Sequence, residues 1–342
     1  MSIPAEAYLE AGWLQRELAG WFSGKVFVDA AATMPDVGDW RAFALGERQF
    51  VVRRTADGLR AHDNVCLHRS AQIVPHGRGQ GHLRCGYHGW RYDDEGRVDA
   101  TPMLEAPCLT RRQLASHPVV EQDGLIWMSP AGRTTPVLDA PEWLADFPVA
   151  TSRPFHHDAL DHAANWKLLV ENVIEGYHLS FVHGQSFVPA GFPSTAPVSQ
   201  GMSDAGSWAH TRPRPDPSRS APRTLGGAEA GYRHVYLFPN VFLSLTNGLV
   251  LFVSHFHPVS PGLTRLEYSL LATPLLQAQR PAVIAHVQAE AIAFTDQVLR
   301  EDLVLLEASQ RGLAATRAAH QLQALEPRIA HFHEQYLRGL SC

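Results

Sequence analysis

From Ala5 to Phe22 apolar residues recur at helical spacing (Leu9, Trp13, Leu14, Leu18, Trp21), which predicts an amphipathic helix over residues 5–22. From about Lys25 to Pro130 the pattern shortens. Runs such as Gln49-Phe50-Val51-Val52, Leu83-Arg84-Cys85 and Leu125-Ile126-Trp127-Met128 read as strands, and Asp94-Glu95-Gly96 as a hairpin turn. A Pro- and Ala-rich joint near 131–142 leads to a second region. It opens with a helix from Asn165 to about His178, then enters a Pro-, Ser-, Gly- and Arg-rich stretch from 189 to 231. So long a stretch without pattern reads as a functional lid or a disordered segment. Three strands are expected next, at His234–Leu245, Leu249–His257 and Leu263–Ala272. Helical periodicity runs from Pro274 to about Ala315, and a last helix from Gln321 to Leu340. The expected organisation is an N-terminal helix (1–24), a small β domain (25–135) and a larger domain of helices and strands (136–342), an α+β chain with no internal repeat.

The 342 residues are 45% apolar and 18% charged, ordinary for a soluble globular protein. A net charge of −5 gives no reason to expect nucleic acid or an anionic membrane as partner. No apolar run approaches a membrane span, and Met1 to Trp13 lack the basic start and apolar core of a secretory signal. With only 4 cysteines there is no disulfide framework, which points to the cytoplasm. Cys66 and Cys85 belong to the motif below; Cys108 and Cys342 remain.

That motif is Cys66-x-His68, sixteen residues, then Cys85-x-x-His88. Two thiolates and two imidazoles suit either tetrahedral zinc or a [2Fe–2S] cluster in which imidazoles ligate one of the two irons. Imidazole leaves less negative charge on the iron than thiolate does, so the cluster accepts an electron more readily. The flanking residues, Asn64-Val65-Cys66-Leu67-His68-Arg69 and Cys85-Gly86-Tyr87-His88-Gly89-Trp90, resemble the cluster-binding loops of Rieske proteins.

A second constellation lies in the helix from Asn165. At about 100° per residue, Trp166, Val170, Val173 and Tyr177 form an apolar stripe. Lys167, Glu171, Glu175 and His178 share another face, which on periodicity alone reads as solvated, with a Lys167–Glu171 pair. His183 falls well round the helix from His178. For both to bind one metal, the chain must leave the helix between them, and Gly184 could help it turn. A third ligand should be a carboxylate. Over Ala291–Gln310 an apolar arc of Phe294, Leu305, Val298, Ala291, Leu306, Leu299, Ile292 and Leu303 contains Asp302 at its middle. Burying an unpaired carboxylate costs several kcal/mol, so Asp302 calls for a metal or a cationic partner such as an arginine. Glu301, at the arc's edge, is the weaker candidate. Two histidines and a carboxylate with open positions form the facial triad of non-haem Fe(II) oxygenases.

Over nearly its whole length the chain resembles the Rieske non-haem iron oxygenases, oxygenase (α-type) component. The cluster loops carry the resemblance, with Asn165-Trp166-Lys167, Glu171-Asn172, Glu175-x-Tyr177-His178 and His183, with Tyr236-Leu237-Phe238-Pro239-Asn240, and with Glu301-Asp302 before Leu306-Glu307. It implies a Rieske β domain and a helix-grip catalytic domain, an antiparallel sheet wrapped around a long helix. It also implies Cys66, His68, Cys85 and His88 on a [2Fe–2S] cluster, and His178, His183 and Asp302 on mononuclear Fe(II). Glu175 would bridge His88 of one subunit to His178 of the next, as in short homotrimeric members. O₂ is the expected co-substrate. Electrons would come from NAD(P)H through a separate reductase, with or without a ferredoxin. The chain departs from the family pattern at Glu175, usually Asp; at Gly86, usually Pro; and at Ser70, usually Gly. The members acting on quaternary ammonium compounds also carry Glu at the bridge.

Hydroxylation and oxidative demethylation of a small molecule are the leading expectations, with cis-dihydroxylation and quaternary ammonium oxidation as alternatives. A Rieske electron carrier and a zinc-stapled binding module are rivals of other classes; neither would need His178, His183 and Asp302. Phe181, Phe187, Phe238, Phe242, Phe252 and Phe256 read mostly as core, and His255 and His257 as pocket or core groups pointing one way. His156, His157, His331 and His333 read as surface or structural residues.

Overall fold

The computed structural model describes residues 2–103, 112–132, 134, 142–192, 196–213 and 231–340. Cys108 and Cys342 lie outside them. The chain divides into two compact units, Leu18–Leu138 and Met1–Glu17 with Asp139–Cys342. The N-terminal helical segment is broken into α1 (Glu6–Leu9), α2 (Ala11–Ala19) and α3 (Trp21–Gly24).

The smaller unit is built from eleven short strands: β1 (Val26–Ala30), β2 (Asp39–Leu45), β3 (Arg48–Thr55), β4 (Gly58–Asp63), β5 (Gly77–Gln80), β6 (Leu83–Arg84), β7 (Arg91–Tyr92), β8 (Val98–Ala100), β9 (Ser116–His117), β10 (Val119–Gln122) and β11 (Leu125–Met128). They form a five-stranded sheet, β5-β2-β3-β4-β9, and two three-stranded sheets, β1-β11-β10 and β6-β7-β8. The β7–β8 turn places Gly96 at φ +76°, in the left-handed region that glycine tolerates. Between the sheets, Trp40, Val51, Ile73, Leu83 and Tyr92 pack in one core with Cys66 and Cys85.

In the larger unit, β12 (Arg153–His162) leads into α4 (Trp166–Val173) and a short α5 (Leu179–Val182). Then come β13 (Ser199–Ser203), β14 (Gly206–Thr211), β15 (Tyr232–Leu237), β16 (Val241–Thr246), β17 (Val250–Ser260) and β18 (Leu263–Ala272), followed by α6 (Pro274–Gln277), α7 (Pro281–Thr316) and α8 (Pro327–Gly339). The strands make one antiparallel sheet in the order β12-β18-β17-β16-β15-β14-β13. The 36-residue α7 packs against α4, β12 and β18, which gives the helix-grip arrangement. No helix among the described residues is long and apolar enough to cross a membrane.

Several expectations are corrected. The stretch 189–231 is not structureless, since it contains the hairpin β13–β14; residues 214–230 lie outside those described. The strand expected at His234–Leu245 is two strands, divided at Phe238-Pro239, whose peptide bond is cis. The edge strand β12, whose His and Asp residues range from exposed Asp158 and Asp161 to buried His162, was not anticipated. On α7, Leu305 lies at the surface instead of filling the apolar arc.

The polar face of α4 is buried. Lys167 is fully enclosed and donates to Glu17 at 2.7 Å, where Trp166 and Tyr336 also donate. Glu171, expected to pair with Lys167, instead accepts from Tyr8, His320 and His333. Burial alone would raise the Glu171 pKa; the hydrogen bonds from His320 and His333 overcome it and hold the carboxyl at about 2. The Glu171 hydrogen bond raises the pKa of His320. Charged Glu171 therefore contributes stability that is complete above 4.5 and is lost as pH falls toward about 2. Protonated His320 contributes below 6.5 and loses its contribution as pH rises through its raised value. Glu171→Gln should cost roughly 1.5–3 kcal/mol at neutral pH for each charged hydrogen bond lost. It should also flatten the acid limb, measured as urea midpoints across pH; an unchanged limb would show that Glu171 does not generate it.

Candidate metal centres

Two loops of the smaller unit carry the cluster motif, and each folds over its own cysteine. Ser70 N–H donates to the Cys66 carbonyl and Gly89 N–H to the Cys85 carbonyl, both at 2.9 Å. Each closing residue has a positive φ, +56° at Ser70 and +72° at Gly89. Ser70 thus occupies a left-handed position that favours glycine. Gly86 has an ordinary φ and open space where a side chain would begin, so its backbone does not require glycine. Asn64, buried beneath the first loop, exchanges two hydrogen bonds with the backbone of Val74.

The four motif residues divide by exposure. Both thiols are buried, while His68 and His88 face outward. The imidazole rings meet at 4.6 Å between centroids, and His68 stacks on Trp90 at 4.8 Å. The Tyr92 hydroxyl donates to Cys66 Sγ at 3.1 Å while accepting from Leu67 N–H. Two buried sulfurs below two convergent exposed imidazoles suit a cluster with one thiolate-held and one imidazole-held iron.

In the larger unit α4 ends at Val173, earlier than expected, so Tyr177 leaves the apolar stripe. His178 and His183 then flank the single turn of α5 as its caps. The chain leaves the helix before His178, and Gly184, with no positive φ, is not what turns it. Glu175 pins the turn before α5: its carboxylate accepts from the backbone N–H groups of Tyr177 and His178 and from His178 Nδ1. These three contacts leave acceptor capacity for one more donor.

Glu301 does for His183 what Glu175 does for His178. It accepts from His183 Nδ1 at 2.7 Å and from Ser186 Oγ at 2.6 Å. With both Nδ1 atoms engaged by glutamates, both Nε2 atoms turn toward Asp302. Its Oδ1 lies 3.1 Å from His183 Nε2 and 3.9 Å from His178 Nε2. One ligand atom from each of the three residues lies within 4.8 Å of the others. Asp302 is buried and its Oδ1 has no hydrogen-bond partner. Among the described residues no lysine or arginine pairs with it; its ion-pair partners are the two histidines. Burial disfavours charge on His183, but Asp302 and Glu301 raise its pKa. The donor set and the unsatisfied carboxylate oxygen fit a divalent cation held by two imidazoles and one carboxylate.

Beside this set lies a cavity of about 1010 Å³. Of the six phenylalanines read mostly as core, Phe181, Phe187, Phe242, Phe252 and Phe256 line it and Phe238 does not. His255 and His257 are not among its lining residues. His333 is fully buried and donates to Glu171, a structural role. Sequence reasoning took Glu301 only as a weaker ligand candidate, and missed His162, a buried histidine that burial holds below its ordinary pKa against the pull of Asp302. It also missed Arg328 in the cavity wall; a lone arginine near a helix start carries no signal in the sequence.

The catalytic-domain model of the ring-hydroxylating α subunit matches residues 149–341, and the Rieske [2Fe–2S] domain model matches residues 24–118. The chain belongs to the ring-hydroxylating oxygenase α-subunit family. Putrescine 2-hydroxylase of Ralstonia nicotianae is 26% identical over 98% of this chain and 94% of that protein. The carnitine monooxygenase oxygenase subunit of Escherichia coli is 25% identical over 97% and 92%. A crystal structure of a quaternary ammonium Rieske monooxygenase superposes with a TM-score of 0.81 at 20% identity, covering 99% of this chain and 94% of that one. Naphthalene 1,2-dioxygenase from a Rhodococcus species gives 0.76 at 18% identity, covering 99% and 94%; these structural likenesses show the fold. As a member of this family the chain is the oxygenase component of an oxidoreductase system, with a Rieske cluster and a mononuclear iron as cofactors and O₂ as co-substrate. Such components are oligomeric and work with a separate reductase.

With Cys66 holding a cluster, donation from Tyr92 to its Sγ would favour the cluster's reduced, more negative state. Tyr92→Phe should lower its reduction potential by roughly 20–60 mV, the equivalent of one net hydrogen bond. A redox titration followed by visible absorbance measures this, and an unchanged potential would exclude Tyr92 from tuning the cluster.

Proposed function

We propose that this chain is a terminal oxygenase that hydroxylates or oxidatively demethylates a small organic substrate at an iron held by His178, His183 and Asp302. Cys66, His68, Cys85 and His88 hold the [2Fe–2S] cluster, which receives NAD(P)H electrons from the reductase, directly or through a ferredoxin, in the cytoplasm. The buried Asp302 Oδ1, facing two oriented imidazoles with no lysine or arginine beside it among the described residues, carries this reading. A pure electron carrier would have no use for it. The bound iron supplies the positions at which O₂ is activated beside the substrate. The chain's own residues do the rest. Glu175 and Glu301 fix the imidazole rings by their Nδ1 atoms, and the cavity beside the triad receives the substrate.

In this reading the assembly is a homotrimer. Glu175 connects His178 to the cluster of a neighbouring subunit by accepting from that subunit's exposed His88. The remaining acceptor capacity of Glu175 supports it, as do aromatic side chains left at the surface around both ends of the bridge. Tyr87 is 59% exposed beside His88, and Phe181 is 80% exposed beyond His178. A carboxylate that accepts from an imidazole at each end holds both rings and keeps the electron path short.

Glu175→Ala should lower NADH-driven turnover about 10- to 100-fold while cluster and mononuclear iron remain at wild-type content. In a single turnover with pre-reduced protein, reoxidation of the cluster should slow in parallel. Near wild-type turnover with both metal sites filled would contradict the bridging role.

A further inference from the structure

One charged side chain in the cavity wall has no carboxylate partner among the described residues. Arg328, the second residue of α8, is 3% exposed and is the only lysine or arginine among the described residues lining the cavity. Its Nε donates to Ser207 Oγ at 3.0 Å and one Nη to the Ser207 carbonyl at 3.2 Å; the other Nη meets the His234 ring at 3.2 Å. A guanidinium has five N–H donors, more than these contacts use. No carboxylate pairs with Arg328 among the described residues.

His234 does not supply the missing charge. Burial first, and Arg328 second, push its pKa well below the ordinary value, so the ring is neutral and accepts. Burial brings Arg328 down to about 9, which leaves it protonated at neutral pH. A buried cation without an anion costs several kcal/mol unless something else compensates it. Nearby acids are committed elsewhere. Glu326 accepts from Gln323 N–H at 2.6 Å, Glu175 is bonded to His178, and Glu290 is solvent-exposed. The first turn of α8 opens on the cavity, which Pro327, Arg328 and the N-cap residue Glu326 all line. Tyr232 stacks on His234 at 5.3 Å and lies within electrostatic range of both Asp302 and Arg328, so the cation and the metal-ligand set share one region of the cavity.

The geometry points to Arg328 as the anchor for an anionic group, a carboxylate or sulfonate, on the substrate, leaving the uncharged part of the same molecule to reach toward His178, His183 and Asp302. What happens to the bound molecule rests on the oxygenase reading; the binding itself does not. The planar fork of a guanidinium suits a bidentate oxyanion.

The test is calorimetric titration of the intact holoprotein without O₂ or reductase, so binding is measured apart from turnover. The probes are acid–amide pairs of matched shape: butyrate and butyramide, benzoate and benzamide, 4-toluenesulfonate and 4-toluenesulfonamide. In at least one pair the anion should bind about tenfold or more tightly than its amide, the ratio for about 1.4 kcal/mol. Arg328→Gln, with its cluster spectrum intact, should abolish that preference, and Arg328→Lys, which keeps a charge, should retain part of it. If Arg328→Gln does not fold, the lysine variant and the salt dependence of wild-type binding decide: anion affinity should fall with ionic strength and amide affinity should not. Equal binding within every pair, no anion binding in any pair, a preference that survives Arg328→Gln, or anion affinity indifferent to salt would overturn the proposal. A protein that binds the acids through Arg328 but never oxidises them would count against the oxygenase reading and not against the anchor.

Discussion

A buried carboxylate whose ion-pair partners among the described residues are two histidines, with no lysine or arginine to neutralise it, is the constraint that shapes the metal-ligand set of the larger unit. Asp302 reaches the two histidines from a helix far along the chain. Left alone, such a carboxylate costs stability. A cation shared with two neutral imidazoles offsets that cost. The imidazoles are set for it: Glu175 and Glu301 each hold a ring by Nδ1 and turn its Nε2 inward. The site is therefore shaped before any metal arrives, which lowers the ordering cost of binding.

Support for that geometry comes from a buried ionic layer beneath it. Glu17 anchors Lys167, Trp166 and Tyr336, while Glu171 gathers Tyr8, His320 and His333. These bonds tie α4 to the N-terminal helices and to α8, so the turn carrying His178 and His183 starts from a fixed point. The same α8 presents Arg328 to the cavity. In the smaller unit, burial performs a comparable division of labour. The thiols sit in the apolar core and the imidazoles face outward, so the exposed edge of the motif is its histidine edge.

The two clamps were legible in the sequence because their meaning lies in short spacings, and Asp302 was legible because a charge at the centre of an apolar arc contradicts its surroundings. The polar face of α4 was misread as solvated because Glu17, His320 and His333, the partners that bury it, are all distant in sequence. The strands β12 and β13 escaped notice for a related reason. They are half-exposed edges of the sheet, rich in His and Asp or in Ser and Gly, so no apolar alternation marks them. Glu301 looked like a spare ligand; its actual contact is with the far nitrogen of His183, and a helical wheel cannot distinguish those two positions. Arg328 became visible only when the fold placed it in the cavity wall with no carboxylate paired to it among the described residues.

Metal content tests the central claim most directly. After anaerobic loading with Fe(II), the wild-type protein should hold about three irons per chain, two in the cluster and one in the triad. Asp302→Ala should hold about two, with the visible spectrum of the cluster unchanged. A variant that retains the third iron at wild-type affinity would contradict the assignment of Asp302, and with it the metal site on which this account is built.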